Sequence, residues 1–460
     1  MKQLRTLAIV MLSFLAVSCS ATKEKGDNPV LSISGGRIQG VLTDSSNVMV
    51  YKGVPYAAPP VGNLRWKKPQ PVIPWEGVKV ADHFGDAAIQ EDHVEGEFYQ
   101  KEFFFKGDPK RSEDCLYLNI WAPASSVGNT KAKLPVAFWV HGGAYLAGMG
   151  NEIEFDGDDW ARHGVILVTI NYRLGIYGYL SHPALSAEDP DHVSGNYGTY
   201  DQVAALKWVK QNIAKFGGDP NNIMVFGQSA GGASIKNLIS SPLSKGLMSK
   251  AIIQSGGGID EPMNVGMSQA EADKMGKEMM DMIGLTTAEE MRAASPEKLY
   301  EAFKKYQKAG GRQIMRLLAP HTDNILLTED FRTAFLKGDI ADIPYMIGYT
   351  AKDIFNLGKD IEEFCSYRST HSKQPVYQYY FKRALPGDNA GAFHSSELWY
   401  VFHTLSRSWR PFTKADYKLS DEMVNYWTNF AKFGNPNGIG GNNWKSSTKE
   451  HPFQMTLDIK

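Results

Sequence analysis

The sequence predicts an α/β protein, a mostly parallel central sheet covered by helices on both faces. Continuous apolar runs at Leu134 to Val140, Val165 to Asn171 and Met224 to Phe226 suit strands buried on both sides, as the central strands of a parallel sheet are. Between the second and third of these lies Asp201 to Phe216, whose Val203, Leu206, Trp208, Val209 and Ile213 fit one helical face. Strand, helix, strand, helix is the order of a parallel sheet with both faces covered. Two glycine-rich turns follow directly on such strands, His141-Gly142-Gly143-Ala144 and Gly227-Gln228-Ser229-Ala230-Gly231. In open parallel sheets ligands gather beyond the carboxyl ends of the strands, where both turns would fall.

The 460 residues exceed the usual single domain, yet α/β enzymes with long loop insertions fill such a length around one core. An apolar fraction of 43% is ample for that interior. Basic and acidic residues number 49 and 50, so nothing suggests a nucleic-acid or anionic-surface partner. Cys19, Cys115 and Cys365 are too few for a disulfide framework and lack metal-ligand spacing.

At the start, Lys2 and Arg5 precede an apolar run from Leu7 to Val17 that is too short to span a bilayer, the pattern of a secretory signal. It ends at Leu15-Ala16-Val17-Ser18-Cys19, which resembles a bacterial lipoprotein box. The expectation is an exported, envelope-located chain, lipid-anchored at Cys19 by a polar tether over residues 20–28, with a single catalytic domain over 29–460. Ordinary cleavage near Ala21, discarding Cys19, is the alternative. Val30 to Gly40, with Gly35-Gly36 at its centre, reads as a hairpin. Gly53 to Trp66 contains Pro55, Pro59, Pro60 and Gly62 and so reads as an extended segment that Arg65 and Trp66 can pin. Asp86 to Ser112 is rich in aromatic residues without a period. Its Phe98, Tyr99, Phe103, Phe104 and Phe105 either pack beneath a long loop or line a substrate gorge. Glu113 to Trp121 alternates like a strand.

Ser229 stands between Gly227 and Gly231, the spacing of a nucleophile elbow. There a strained strand-to-helix turn lifts a serine hydroxyl above the sheet, and small residues let the two backbones approach. The following helix aims its N-terminal amides at developing negative charge. A serine hydroxyl is a poor nucleophile unaided, so it needs a base in contact and a third group orienting that base.

The chain resembles the type-B carboxylesterases, the α/β-hydrolase family that includes cholinesterases and certain lipases. The resemblance runs from G-V-P-Y-A-A-P-P-V-G-N-L-R-W through E-D-C-L-Y-L-N, W-V-H-G-G-A-Y, N-Y-R-L-G, G-N-Y-G-T-Y-D-Q, N-I-A-K-F-G-G-D-P and F-G-Q-S-A-G-G to W-T-N-F-A-K-F-G-N-P-N. It implies an α/β-hydrolase fold with helical insertions, here within residues 256–340, forming a roof over the active site. It implies a serine hydrolase that cleaves carboxylic esters through an acyl-enzyme, with a small-molecule ester as substrate and no metal or other cofactor. The catalytic base falls on His394, in G-A-F-H-S-S-E-L, rather than on His321, His371, His403 or His451. The acid falls on Asp353, with Asp323, Glu329, Asp330 and Asp360 as rivals, and the oxyanion donors are the backbone amides of Gly143, Ala144 and Ala230. Ser255, Glu397 and Gln228 stand around this triad, and His141 braces the oxyanion loop.

Four positions depart from the family pattern, one of them Ile354, where glycine is common. Asp353 stands where glutamate is usual, and the shorter arm requires its loop to sit closer. Gln228 replaces the glutamate common before the serine, removing a negative charge beside the histidine. Ala88 stands near the place of a half-cystine that would pair with Cys115, so Cys115 is expected to be a buried free thiol. An amidase or thioesterase on the same triad, and a binding protein on a hydrolase scaffold, remain as alternatives.

Overall fold

The computed structural model describes residues 28–45, 47–260, 266–310, 314–441 and 443–459. The signal segment, the tether up to residue 27 and Cys19 lie outside the described residues. Among the described residues, the centre is a sheet of ten strands. Seven run parallel, in the spatial order Gln454–Leu457, Val376–Phe381, Tyr345–Thr350, Lys250–Gln254, Gly218–Gln228, Leu134–Val140 and Ile166–Ile170. Beyond Ile166–Ile170 the sheet continues through Tyr117–Pro123, Val48–Pro55 and Val41–Leu42, each paired antiparallel to its neighbour. A separate hairpin, Val30–Ile33 with Gly36–Gln39, turns at Gly35 as the sequence suggests.

Both faces of the sheet are apolar because both are covered. Val136, Phe138 and Val140 point into one core with Val203, Leu206, Ala233 and Leu238 from the helices Tyr197–Asn212 and Ala230–Ser240. Ala137, Trp139, Met224 and Phe226 point into a second core with Met423, Val424 and Trp427 of the helix Lys414–Phe433. This is why Leu134–Val140 reads as one unbroken apolar run rather than as an alternation.

Several element boundaries differ from the sequence reading: the Met224 strand spans Gly218–Gln228, the Val165 strand Ile166–Ile170, and two others shift for identifiable reasons. The Asp201 helix begins earlier, at Tyr197, and its last turn, Ile213–Phe216, is a 3-10 turn closed by Gly217 at φ 90°. Its first turn packs so tightly on the Arg173 carbonyl that a Cβ at Gly198 would lie 2.3 Å from that oxygen, and Asp201 pairs with the buried Arg173 at 2.7 Å. The strand expected from Glu113 begins at Tyr117, because Glu113 is drawn off to Arg65, accepting from its Nε at 2.7 Å. Arg65 also lies over the Trp66 ring, 5.7 Å from its centre, and Trp66 donates to the Ile176 carbonyl at 2.9 Å, so this pair does pin the proline-rich segment. Cys115 and Cys365 are buried free thiols, and Ala88 lines the same small cavity as Cys115.

The aromatic segment is divided between buried and exposed rings. Phe103 and Phe104 are buried, while Phe98 and Tyr99 remain more than a third exposed on the short helix Phe98–Phe103. That helix is fixed from beneath by Glu102, which accepts from Trp399 Nε1 at 2.8 Å and from the buried Arg410 at 2.8 Å, while Arg410 also holds Asp388 at 2.9 Å. A buried carboxylate is tolerated there because its charge is fully paired. Trp399, Tyr400 and Phe402 belong to the core.

Candidate active site

The carboxyl ends of four adjacent parallel strands meet at one place, and each contributes a piece of the site. Leu134–Val140 runs into His141-Gly142-Gly143-Ala144, and Gly218–Gln228 runs into Ser229. Lys250–Gln254 runs into Ser255, and Tyr345–Thr350 leads to Asp353. The strand ladder extends one step into the turns: the Ser229 amide donates to the Gln254 carbonyl and the Ser255 amide to the Gly348 carbonyl, both at 2.8 Å.

Ser229 sits at φ 58°, ψ −123°, and the helix Ala230–Ser240 starts at the next residue. This is an unfavourable backbone state for any residue with a side chain, and the surrounding ladder imposes it. The flanking glycines are required by contact: a Cβ at Gly227 would lie 2.5 Å from the Gly231 carbonyl oxygen, and one at Gly231 would lie 2.1 Å from that of Val140. Gly143 and Ala144 take successive left-handed conformations, φ 95° and 55°, and a Cβ on Gly143 would meet the Ala147 oxygen at 2.0 Å. The turn is closed by Leu146 and Ala147 donating to the Gly143 carbonyl. His141 braces it from behind. Its ring stacks on Tyr172, with centres 4.4 Å apart, and bonds the Gly142 carbonyl at 2.9 Å. Burial pushes this imidazole down to about 4, so it is neutral and structural.

His394 Nδ1 donates to Asp353 Oδ1 at 2.6 Å. The remaining capacity of that carboxylate is filled: Oδ1 accepts from the Ile354 amide at 2.8 Å, and Oδ2 from Ser255 Oγ at 2.6 Å, the Thr350 amide at 3.1 Å and Thr350 Oγ1 at 3.3 Å. Burial works to raise this carboxyl. The hydrogen bond from His394, helped by the Ser255 and Thr350 donors, outweighs it and holds Asp353 ionised below the ordinary carboxylate range. The two loops are tied beside this pair by the Lys352 amide, which donates to the Ala392 carbonyl at 2.8 Å. That bond brings the aspartate loop close enough for the shorter arm to reach.

The rival groups are engaged elsewhere. Asp323 accepts three successive backbone amides, from Ile325, Leu326 and Leu327. Asp330 caps the helix Phe331–Lys337, Asp360 accepts from Gly258 and Asp260, and Glu329 pairs with Lys337. His321 is buried against the Ser194 carbonyl, His403 lies between Asp159 and Asp421, and His371 stacks on Tyr367. His451 lines a groove with Tyr377 and Trp444 at the opposite, N-terminal end of the sheet.

The sequence reading sets Gln228 beside the histidine but does not reveal its bond to the other imidazole nitrogen. His394 Nε2 is bonded by the side-chain amide of Gln228 at 3.1 Å, and among the described residues no hydrogen bond joins Ser229 Oγ to the ring. Sequence reasoning also missed Thr350, three residues before the acid, and Gln254, whose carbonyl holds the Ser229 amide and whose side chain donates to Glu397 at 3.3 Å. Phe98 meets Phe393 edge-on at 4.8 Å and Tyr99 donates to the His394 carbonyl at 3.3 Å, so the aromatic segment forms a wall beside the imidazole.

Glu397 lies fully buried below His394, with Oε2 lacking a partner among the described residues. Burial, reinforced by the nearby Asp353 charge, pushes its carboxyl up to about 7. An acid raised on folding loses stability as pH rises: the penalty is absent below the unfolded value, grows through the interval up to the folded one and is constant above it. Glu397→Gln is therefore expected to raise thermal stability at about pH 8.5 by roughly 2 kcal/mol and to change it little at about pH 4.5, as followed by calorimetry. An equal change at both pH values would place its origin in packing rather than in the proton.

An elbow serine, an imidazole oriented by a buried carboxylate and a turn of left-handed residues at the ends of a parallel sheet define the class as a serine hydrolase of the α/β-hydrolase fold. The model of the carboxylesterase family matches residues 27–361 and 355–460, and the chain belongs to that family. It is a carboxylic ester hydrolase. The para-nitrobenzyl esterase of Bacillus subtilis (strain 168) is 32% identical over 487 residues, covering 93% of this chain and 94% of that one. The fumonisin B1 esterase of Sphingopyxis macrogoltabida is 38% identical over 349 residues, 75% of this chain and 60% of that protein. Among solved structures, a thermophilic para-nitrobenzyl esterase superposes with a TM-score of 0.81 at 30% identity, over 93% of this chain and 96% of the other.

Proposed function

We propose that ester cleavage proceeds through an acyl-enzyme on Ser229, with His394 as the proton carrier, Asp353 orienting it, and the amides of Gly143, Ala144 and Ala230 as the oxyanion donors. The observation that carries this reading is the 2.6 Å bond from His394 Nδ1 to Asp353, which leaves the lone pair of the neutral ring on Nε2, the nitrogen directed toward the elbow. Ser229 Oγ attacks the ester carbonyl carbon while its proton passes to Nε2. The carbonyl oxygen becomes an oxyanion held by backbone N–H groups, and each such donor contributes about 2.7 to 4 kcal/mol of barrier lowering. The C–O bond to the alcohol then breaks, and the leaving oxygen takes the proton from Nε2. Water repeats the sequence on the acyl-enzyme, releasing the acid and restoring Ser229.

The substrate is an uncharged ester with an apolar or aromatic part. Phe98 and Tyr99 stand exposed beside His394, Ile354 stands exposed beside Asp353, and Gln228 brings no negative charge to attract a cation. The helices Gln269–Asp281, Ala288–Ala293 and Pro296–Gly310 form the roof. In support of this reading, Asp273 accepts from Ser181 Oγ at 2.6 Å, in the segment that follows the carboxyl end of Ile166–Ile170. The chain is exported and lipid-anchored at Cys19, a reading supported by the motif alone; loss of fatty-acid labelling in Cys19→Ser is its expected signature.

The test is mass spectrometry after treatment with a fluorophosphonate, together with turnover on matched 4-nitrophenyl ester and anilide substrates. A single adduct on Ser229 and a preference for the ester are expected. A folded protein without an adduct would remove the triad reading, and equal turnover on the anilide would make the chain an amidase.

A further inference from the structure

We propose that the side-chain amide of Gln228 gates catalysis by occupying the proton-accepting nitrogen of His394 in the resting enzyme. This rests on the triad reading above and adds to it a residue that holds the base out of use until substrate is seated.

The argument is one of hydrogen-bond capacity. A neutral imidazole has one N–H and one lone pair. His394 spends its N–H at Nδ1 on Asp353, at 2.6 Å, so the lone pair is on Nε2. The group found there is the Gln228 amide nitrogen, at 3.1 Å, and the ring can accept only one such bond. The Ser229 hydroxyl and the Gln228 amide therefore compete for the same lone pair, and the amide holds it in this structure.

Gln228 is well placed to hold it. It ends the strand Gly218–Gln228 and is 2% exposed. Its Oε1 lies 3.1 Å from where a Cβ on Gly142 would stand, so the amide is sandwiched between the oxyanion turn and the imidazole. Glutamate, the residue common at this place in the family that the chain resembles, would behave differently. An ionised carboxylate has no proton to donate and cannot occupy the lone pair of a neutral ring. With glutamine the base has a resting partner that must be displaced when the substrate carbonyl enters the oxyanion turn and Ser229 engages Nε2. Once the ring is protonated, a half-turn of the same amide presents Oε1 as an acceptor to Nε2–H. The amide thus opposes the first proton transfer and accommodates its product, making Gln228 a positioning residue.

The experiment compares the wild-type protein with Gln228→Met, of similar length but without an N–H, and Gln228→Glu, of the same shape but acceptor-only. Two rates are read: phosphonylation of Ser229 by a fluorophosphonate, and steady-state hydrolysis of a short-chain 4-nitrophenyl ester at about pH 8. Releasing one neutral hydrogen bond is expected to speed phosphonylation roughly fivefold in both variants, and to raise kcat/KM for the ester by a similar factor. A purely structural role would move neither rate upward. Phosphonylation at or below the wild-type rate in variants that melt at the wild-type temperature overturns the proposal, and if Gln228→Met fails to fold, Gln228→Glu decides alone. Absence of a Ser229 adduct in the wild-type protein is a separate result, which removes the triad reading itself.

Discussion

Ser229→Ala is expected to lower kcat by on the order of a millionfold, leaving only the small catalysis that binding and oxyanion stabilisation provide. The size follows from the mechanism: without Oγ there is no atom on which an acyl-enzyme can form, and the imidazole and carboxylate lose their task together, so the loss is that of the whole unit. The structure separates this from a folding defect. Ser229 Oγ makes no hydrogen bond among the described residues, whereas the Ser229 amide, which alanine keeps, donates to Gln254 at 2.8 Å. Alanine also has the same Cβ, so the elbow at φ 58° gains no new strain. Activity on a 4-nitrophenyl ester should vanish and the fluorophosphonate adduct with it, while the melting temperature stays within a degree or two. Retention of even a hundredth of the activity would mean that another group is the nucleophile.

Asp353→Asn is expected to reduce kcat by about 10⁴ with KM little affected. Every oxygen lone pair of this carboxylate faces a donor: His394 Nδ1 and the Ile354 amide on one side, Ser255 Oγ and the Thr350 amide on the other. An NH₂ group must therefore confront one of these donors. Each oxygen carries one backbone amide that cannot reverse and one group that can, the ring on Oδ1 and the Ser255 hydroxyl on Oδ2; with the NH₂ on the ring's side the imidazole is driven to the opposite tautomer. Its proton then sits on Nε2, and the lone pair needed to activate Ser229 faces the wrong way. Loss of the negative charge also removes stabilisation of the imidazolium that forms in the transition state. Steady-state kinetics on the purified variant check this; a loss below tenfold would show that Asp353 does not orient the base.

Some of this was readable from local pattern. Leu134–Val140 is predicted and observed over the same residues, because a strand buried on both faces leaves a continuous apolar run. The elbow is equally local: two glycines and a serine at fixed spacing are what a strand-to-helix reversal with 2.1–2.5 Å clearances demands. The antiparallel edge was not readable, since Tyr117–Pro123 is as buried as its parallel neighbours and burial erases direction from the pattern. The first turn of the Tyr197–Asn212 helix was missed because Gly198 and Thr199 are poor helix formers, held there by the packing against Arg173.

The α/β class, the serine elbow and the glycine-rich turn at His141 to Ala144 follow from the chain alone, because each depends on residues within a few positions of one another. Which carboxylate meets which imidazole, across 41 residues, and which amide meets the other side of that ring, across 166, depend on the order in which the sheet lays its strands side by side. Asp353 is distinguished from Asp323 or Asp360 by lying past the end of Tyr345–Thr350, where the Lys352–Ala392 bond draws its loop to His394. Such contacts connect residues distant in sequence, and no local spacing encodes them. The aromatic wall and the Gln228 bond likewise exist only once the strand ends converge.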